Sequence, residues 1–346
     1  MSRDAPHLLD LPPPAPGEAL EVAPGLLWMR FRLPFALNHV NLYAVDEGEA
    51  EGWALFDAGL GVEETYAAWE AALAGPLRGR RVSRLIVSHF HPDHVGAAGW
   101  LLRRLGNPPL HMTETEYLFA RYMMAGGETT EDPLYAGFYR RHGATQEETR
   151  ILIERGHNYL RRVTGLPAAF HPLERKVPLV LGGRSFRLLI GTGHAPAQAM
   201  LHCAEEGILL AADQVLGRIT PNISVHAMEP EADPVARFLE SLEDLRGEVP
   251  DETLVLPGHE QPLTRLHGRL EDLAAHHEAR CVVVREFCGR EPLSVAELTP
   301  LLFTRPLDPH QKSFAFAEAL AHVNHLVARG EMAWVEKGEV WKAKAV

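Results

Sequence analysis

The run Ser88-His89-Phe90-His91-Pro92-Asp93-His94 constrains this chain more than any other feature. It sets three imidazoles and a carboxylate within a few positions of one another, directly after the apolar stretch Leu85-Ile86-Val87. Imidazole and carboxylate are the side chains that hold a borderline divalent cation. A strand that ends in such a loop lets them converge on one point, whereas a helix would spread them around its axis. A His-rich surface turn is the bland alternative, and four further positions argue against it.

Each of those positions ends an apolar strand. Asp57 follows Trp53-Ala54-Leu55-Phe56, and His194 follows Leu188-Leu189-Ile190 through Gly191-Thr192-Gly193. Asp213 follows Ile208-Leu209-Leu210-Ala211-Ala212, and His259 follows Leu254-Val255-Leu256-Pro257-Gly258. Loops at strand ends collect functional groups above a rigid sheet. One isolated histidine or aspartate there is usually structural; four of them beside His89–His94 describe a metal site.

A chain of 346 residues is long for a single core, so one large domain with an appendage is expected. Hydrophobic residues make up 46% and charged residues 23%, as in soluble globular proteins, and no apolar run approaches the roughly 20 residues that span a bilayer. The Pro-rich segment 1–21 has no apolar core of the secretory kind and reads as a lead-in. Cys203, Cys281 and Cys288 are scattered and form no C-x-x-C pair, which points to a reducing, cytoplasmic setting and away from a thiolate metal site. A formal net charge of −12 disfavours broad contact with a polyanion but leaves a local basic groove open.

Three zones follow. Residues 22–267 alternate short apolar strands (Leu26–Phe31, Val40–Val45, Trp53–Phe56, Leu85–Ser88, Phe186–Ile190, Met200–Cys203, Ile208–Ala212, Leu254–Pro257) with helices at Val62–Ala74 and Pro234–Leu245, an α/β layered pattern. Within it, about 113–171 reads as a helical lid over Glu114–Met124, Tyr135–Arg141 and Glu147–Thr164, with Tyr117 and Tyr122 as candidate substrate contacts. Residues 268–346 read as helices at Leu270–Phe287, Ser294–Phe303 and His310–Arg329, then a hairpin of Met332–Glu336 and Glu339–Lys342, which is a winged-helix order. That zone holds ten Lys plus Arg against eleven Asp plus Glu. Such a balance suits packing on the core or on a second subunit, as in a homodimer, better than reading nucleic acid.

The constellation resembles the metallo-β-lactamase-fold hydrolase superfamily, whose five motifs are matched in order across Val22–His267. The resemblance implies an αββα sandwich with metals at the edge of its two sheets, plus a helical insertion and a small winged-helix-like C-terminal domain. It implies that His89, His91 and His194 hold one metal, that Asp93, His94 and His259 hold a second, and that Asp213 bridges them. Asp57 matches the motif whose carboxylate orients the ligand loop and, with Asp93, is a catalytic candidate. Two divalent ions are expected, zinc first, with manganese or iron also compatible. Together they would bring a bridging water toward neutral pKa and supply hydroxide to a carbonyl or phosphorus centre, with Asp93 able to handle a proton.

Departures from relatives narrow the choice. Class B1 β-lactamases place a cysteine where Asp213 stands, and flavodiiron relatives have glutamate where this chain has His91. Many thioesterase-like members carry a second histidine where this chain has Gln198, which leaves ligation intact and puts a neighbouring contact in doubt. His39 could reach the site as a pocket-wall donor, and His226 has similar standing; neither counts as a ligand. The leading expectation is a dinuclear metal hydrolase of a small ester, thioester or lactone, with a small-molecule partner and no membrane. The alternative is a single-strand endoribonuclease with the same metal site, and the third is a mononuclear iron enzyme of sulfur oxidation.

Overall fold

The computed structural model describes residues 6–126 and 133–346. Residues 1–5 of the expected lead-in and 127–132 of the expected lid lie outside the described residues. The first half comprises β1 (His7–Leu8), β2 (Leu20–Ala23), β3 (Leu26–Arg32), β4 (His39–Asp46), β5 (Trp53–Phe56), α1 (Glu63–Ala74), β6 (Val82–Ile86), α2 (Pro92–Val95), α3 (Ala98–Arg104) and β7 (Leu110–Met112). Three lid helices follow, α4 (Glu114–Met124), α5 (Pro133–Arg141) and α6 (Gln146–Arg162). The second half comprises β8 (His171–Pro172), β9 (Leu179–Leu181), β10 (Arg184–Gly191), β11 (Gln198–Cys203), β12 (Ile208–Ala212), α7 (Pro234–Glu248), β13 (Leu254–Pro257) and β14 (Leu263–Thr264). The chain ends in α8 (Leu266–Arg290), α9 (Val295–Leu302), α10 (Pro309–Ala328), β15 (Met332–Lys337) and β16 (Val340–Ala345).

Strands β2 to β8 form one seven-stranded sheet in chain order, and the other runs β1-β14-β13-β12-β11-β10-β9. Residues alternate between two buried faces along each central strand. Trp28, Tyr43 and Phe56 of the first sheet meet Phe186, Leu188 and Leu201 of the second in a shared core. One position along, Met29, Leu42 and Leu55 point the other way and pack on Trp69 of α1 and Leu101 of α3. Leu189, Met200 and Val255 likewise pack outward on Phe238 of α7, Leu273 of α8 and Leu320 of α10. The result is the expected αββα sandwich. The segment read as a lead-in contributes β1, paired with β14, and β2, paired with β3.

β5 pairs in parallel with β6, and β12 in parallel with β13, while β10, β11 and β12 alternate in direction. The C-terminal ends of β10, β12 and β13 therefore share one edge of their sheet, as those of β5 and β6 do in theirs. The strand expected to run from Leu85 to Ser88 instead covers Val82–Ile86. Val87 N–H still donates to His111 O, but Ser88 turns away to meet Asp57, so the loop begins earlier than the apolar run suggested.

The end of the lid docks closely against the metal-loop segment. α6 begins with a reciprocal capping box between Thr145 and Glu148 and ends at Arg162, not at Thr164 as expected, because Val163 is extended. Thr164 N–H and its hydroxyl both donate to Gly96 O at 2.8 Å, and Gly61 N–H donates to Arg162 O at 2.9 Å. A Cβ on Gly96 would overlap Pro92 O and Arg162 O, and one on Gly61 would overlap Arg162 O. These two glycines are required by proximity, not by backbone dihedral. Gly96→Ala should therefore cost about 1–3 kcal/mol of stability. Gly247→Ala, at an exposed α7 position with open space around it, should gain about 0.5–1 kcal/mol. Urea denaturation of the two variants beside the parent protein checks both signs.

Candidate metal centre

The site starts at the end of β5. Asp57 adopts a left-handed backbone (φ 66°), uncommon but tolerated by aspartate, and this aims its carboxylate at the end of β6. The carboxylate accepts Ser88 N–H at 2.7 Å, Ser88 O–H at 2.9 Å and His94 Nδ1–H at 2.8 Å. Ser88 Oγ lies 2.8 Å from His89 Nδ1. Since its one hydrogen goes to Asp57, it accepts from His89 Nδ1–H. Two further ligand candidates are oriented by backbone carbonyls: His194 Nδ1–H donates to Asn222 O and His259 Nδ1–H to His39 O.

The consequence is uniform. In His89, His94, His194 and His259 the Nδ1 hydrogen is engaged outside the cluster and Nε2 faces inward with its lone pair. His91 is the exception: its Nδ1 lies 2.9 Å from both His89 Nε2 and His194 Nε2, so that nitrogen faces the cluster. Ligand atoms of His89, His91 and His194 lie within 4.8 Å of one another, as do those of Asp93, His94 and His259 and those of His89, His94 and Asp213. Asp213 stands between the groups, with Oδ2 3.4 Å from His194 Nε2 and 3.3 Å from His259 Nε2, and Oδ1 3.3 Å from His94 Nε2.

Charge in this cluster is poorly balanced by the protein itself. Burial and neighbouring imidazoles hold His89 and His91 well below the usual histidine range. Burial also opposes charge on His94 and His259, but Asp213 and the other carboxylates outweigh it, raising His94 and bringing His259 to about 10. His94 Nε2 and Asp213 Oδ1 are buried without a hydrogen bond. Protons on these nitrogens stand where a dication would, since both compete for the same lone pairs. A donor set of five imidazoles and two carboxylates fits a borderline divalent metal. Gly258 keeps the space open, because a Cβ there would overlap Asp213 Oδ1.

Two supporting residues escaped the sequence reading. Glu116 of α4 is fully buried, and its carboxylate accepts Phe90 N–H at 2.9 Å and Ala197 N–H at 2.6 Å, tying the His89–His91 loop to the His194 loop. The only local signal is Thr113-x-x-Glu116, which reads as a helix-capping box; Thr113 does cap α4, but the glutamate reaches elsewhere. Gln198 has a role of its own. It is fully buried, and its Oε1 accepts Asp213 N–H at 3.2 Å while Nε2 donates to Ala211 O at 3.4 Å. It thus braces the turn in which Ala212 has a φ of 43° and Asp213 is presented.

The cluster opens into a cavity of about 840 Å³, lined by His91, Asp93, His194, Asp213 and His259 and by largely apolar walls. The walls come from the β3–β4 loop, the lid, the loop between β12 and α7 and the C-terminal unit, the last through Phe303, Leu307, Phe314 and Glu318. His226 also lines it. Tyr117 and Tyr122 do not: Tyr117 stacks on Phe170 and donates to Pro167 O, and Tyr122 shares a hydrogen bond with Tyr135. His39 is likewise outside the lining; its Nε2 accepts Glu260 N–H, and its carbonyl orients His259.

Residues 36–259 match the family described as the metallo-beta-lactamase superfamily, and residues 281–343 match the metallo-beta-lactamase-like C-terminal domain. Among solved structures, the chain is similar to a beta-lactamase domain protein from Burkholderia ambifaria, with 36% identity over 99% of this chain and 98% of that one and a TM-score of 0.90. It is also similar to a metallo-beta-lactamase family protein from Thermus thermophilus, with 28% identity over 94% of this chain and 100% of that one and a TM-score of 0.80. A sec-alkylsulfatase from a Pseudomonas species shares the fold at 16% identity and a TM-score of 0.55, over 89% of this chain and 49% of that one. No match was found among curated proteins.

Removing Asp57 should loosen two imidazoles together. Asp57→Ala is expected to weaken metal retention by about 10–100-fold, measured by competition with a chelator. A pH effect arises at Glu318, which burial pushes up to about 7. Its folded-state pKa exceeds its unfolded value, so the stabilising contribution is full below about 4.5 and is lost as pH rises through about 7. Glu318→Gln should flatten that part of the stability profile, read from denaturation midpoints between pH 5 and pH 8.

Proposed function

The chain belongs to the metallo-beta-lactamase superfamily, and from that premise we propose that it is a dinuclear metal-dependent hydrolase of a small ester, thioester or lactone. The observation that carries the reading is a set of seven side chains able to ligate a metal at the end of a largely apolar cavity of small-molecule size. We assign His89, His91 and His194 to one ion, Asp93, His94 and His259 to the other, and Asp213 to both. Zinc suits this donor set best, and manganese or iron are compatible with it. When bound, the cations supply Lewis acidity and bring the pKa of coordinated water toward 7.

The chain's own groups do the rest. Asp93 lines the cavity with Oδ2 3.4 Å from His259 Nε2, so it can take a proton at that carboxylate and return it to a departing group. Asp57, one layer back, touches no substrate; it holds His94 and, through Ser88, His89. Phe90, Leu60 and Met123 offer apolar surface for an acyl chain. An endoribonuclease reading rests on likening the order of α8, α9, α10 and the β15–β16 hairpin to that of a winged helix. Against it, the segment between α9 and α10 walls the cavity, and the C-terminal zone carries no excess of basic residues. A mononuclear iron enzyme would leave half of the donor set without a role.

We also place the protein in the cytoplasm: its three cysteines are free and buried, and among the described residues no helix is long and apolar enough to cross a membrane.

Metal analysis of protein purified without added metal should return about two divalent ions per chain. Thioesters, lactones, phosphodiesters and short RNA should then be compared at fixed enzyme concentration. Turnover of an ester, thioester or lactone that is lost in His89→Ala and strongly reduced in Asp93→Asn is the expected result. Selective RNA cleavage lost in His89→Ala would instead make the protein a ribonuclease, and one iron per chain would overturn the dinuclear reading.

A further inference from the structure

Arg162 ends α6 inside the catalytic cavity, and among the described residues no carboxylate lies within ion-pairing distance of it. Its guanidinium lies 4.4 Å from the centroid of the Phe35 ring, and both residues line the cavity that contains Asp93. Burial lowers its pKa from the ordinary arginine value, with the Asp93 charge opposing that shift. An arginine charge cannot be discharged in a protein, so a half-buried guanidinium without a counter-ion leaves an electrostatic demand in the pocket.

The main chain that carries this cation is anchored by hydrogen bonds. Arg162 O accepts Gly61 N–H, and Thr164 donates twice to Gly96 O, on the segment that continues directly from Asp93 and His94. Stacking on Phe35 then holds the side chain itself and leaves the edges of its planar fork available. A second cation, Arg305 of the segment between α9 and α10, lines the same cavity and is exposed. The surrounding walls, such as Leu33, Leu37, Ile151 and Leu307, are apolar. The C-terminal unit adds two acidic groups to the lining. Asp308 is engaged in capping α10, where it accepts Gln311 N–H at 2.8 Å. Glu318 is held largely neutral to about pH 7 by burial and so repels an anion little.

We propose that the substrate is amphipathic: an apolar acyl ester or thioester that also carries an oxyanion, carboxylate or phosphate, which Arg162 binds through its two-pronged face while the scissile bond lies at the metal cluster. This rests on the hydrolase reading above and adds the group by which that site selects its substrate. A carboxylate or phosphate matches the guanidinium fork bidentately, a geometry that lysine cannot reproduce. Arg162 is thus a specificity-determining residue and not a ligand of the cluster.

The test compares p-nitrophenyl butyrate with its carboxylate-terminated counterpart, p-nitrophenyl hemiglutarate, and with an ester of similar length ending in phosphate. The metal-loaded parent protein should show a higher kcat/KM for one or both anionic esters than for the neutral one, and which one identifies the oxyanion. In Arg162→Gln the anionic-to-neutral ratio should fall about 10–100-fold, chiefly through KM, and Arg162→Lys should recover only part of it. Arg104→Gln, a surface change at the exposed Arg104–Glu70 pair, should leave the ratio unchanged. A ratio that does not respond to Arg162 overturns the inference while leaving the hydrolase reading intact.

A binding measurement separates the two readings when no ester is turned over. Adipate should protect the protein against thermal unfolding more than hexanoate does, and Arg162→Gln should erase that difference. Protection by adipate without turnover would remove the hydrolase reading and keep the anion site. Equal protection by both acids, or protection only by short RNA, would remove the inference.

Discussion

The fold depends on the carboxylate of Asp57 more than on any other polar group. It joins the end of β5 to the end of β6 through Ser88 N–H and O–H, and it fixes the tautomer of His94 and, through the Ser88 hydroxyl, that of His89. All of these groups are buried, so removing the acceptor would leave donors unpaired at a cost of about 1–3 kcal/mol each. Without it the inward lone pairs of two imidazoles would have no reason to face the same point. The left-handed backbone at Asp57 and the positive φ at Ala212 are local strain of the kind that functional sites hold. The cluster itself carries more buried charge than the protein neutralises, which is a defect in a folded core and a fitting property in a metal site.

Much of this was legible in the sequence, and the reason is local. Trp53–Phe56, Ile208–Ala212 and Leu254–Pro257 agree with the structure residue for residue, because each apolar run ends at a polar or breaking residue, and Glu114–Met124 agrees because its helical period stops just before Ala125-Gly126. The two- and three-residue strands β1, β7, β8 and β14 carry no such pattern; neighbouring strands, not their own residues, make them extended. The histidines and aspartates of the cluster were legible because their spacing is written along the chain. Glu116, Gln198 and Arg162 were not, since what each does depends on groups distant in sequence. Glu116, for instance, bridges backbone amides 26 and 81 residues away. Tyr117, Tyr122 and His39 were chosen by residue type, and type alone does not say which way a side chain points.

The division between floor and walls follows from the same distinction. The floor is made by strand ends locked into two sheets, so its geometry follows from sheet register. The walls come from separate stretches: the β3–β4 loop, the lid helices, the loop between β12 and α7, and the C-terminal unit from Phe303 into α10. The C-terminal unit is therefore part of the cavity wall as well as of the core, where Leu298, Leu320 and Leu326 pack with α7 and α8. Chemistry set by the floor can stay constant while the walls determine what enters, an arrangement general to folds that carry many activities.

The join between lid and floor makes that separation quantitative. A lid hinged on a flexible loop would let its side chains wander relative to the His/Asp cluster. Here α6 is stopped by hydrogen bonds to Gly61 and Gly96, and Gly96 is the C-cap of the short helix that bears Asp93 and His94. Because neither glycine admits a Cβ, the lid backbone lies as close to the ligand helix as packing allows. The backbone at Arg162 is thus anchored by these contacts, and stacking on Phe35 restrains its long side chain. A substrate anchored at that cation would present its scissile bond at a fixed depth. Acyl chains of the wrong length would be rejected by geometry before they were rejected by affinity.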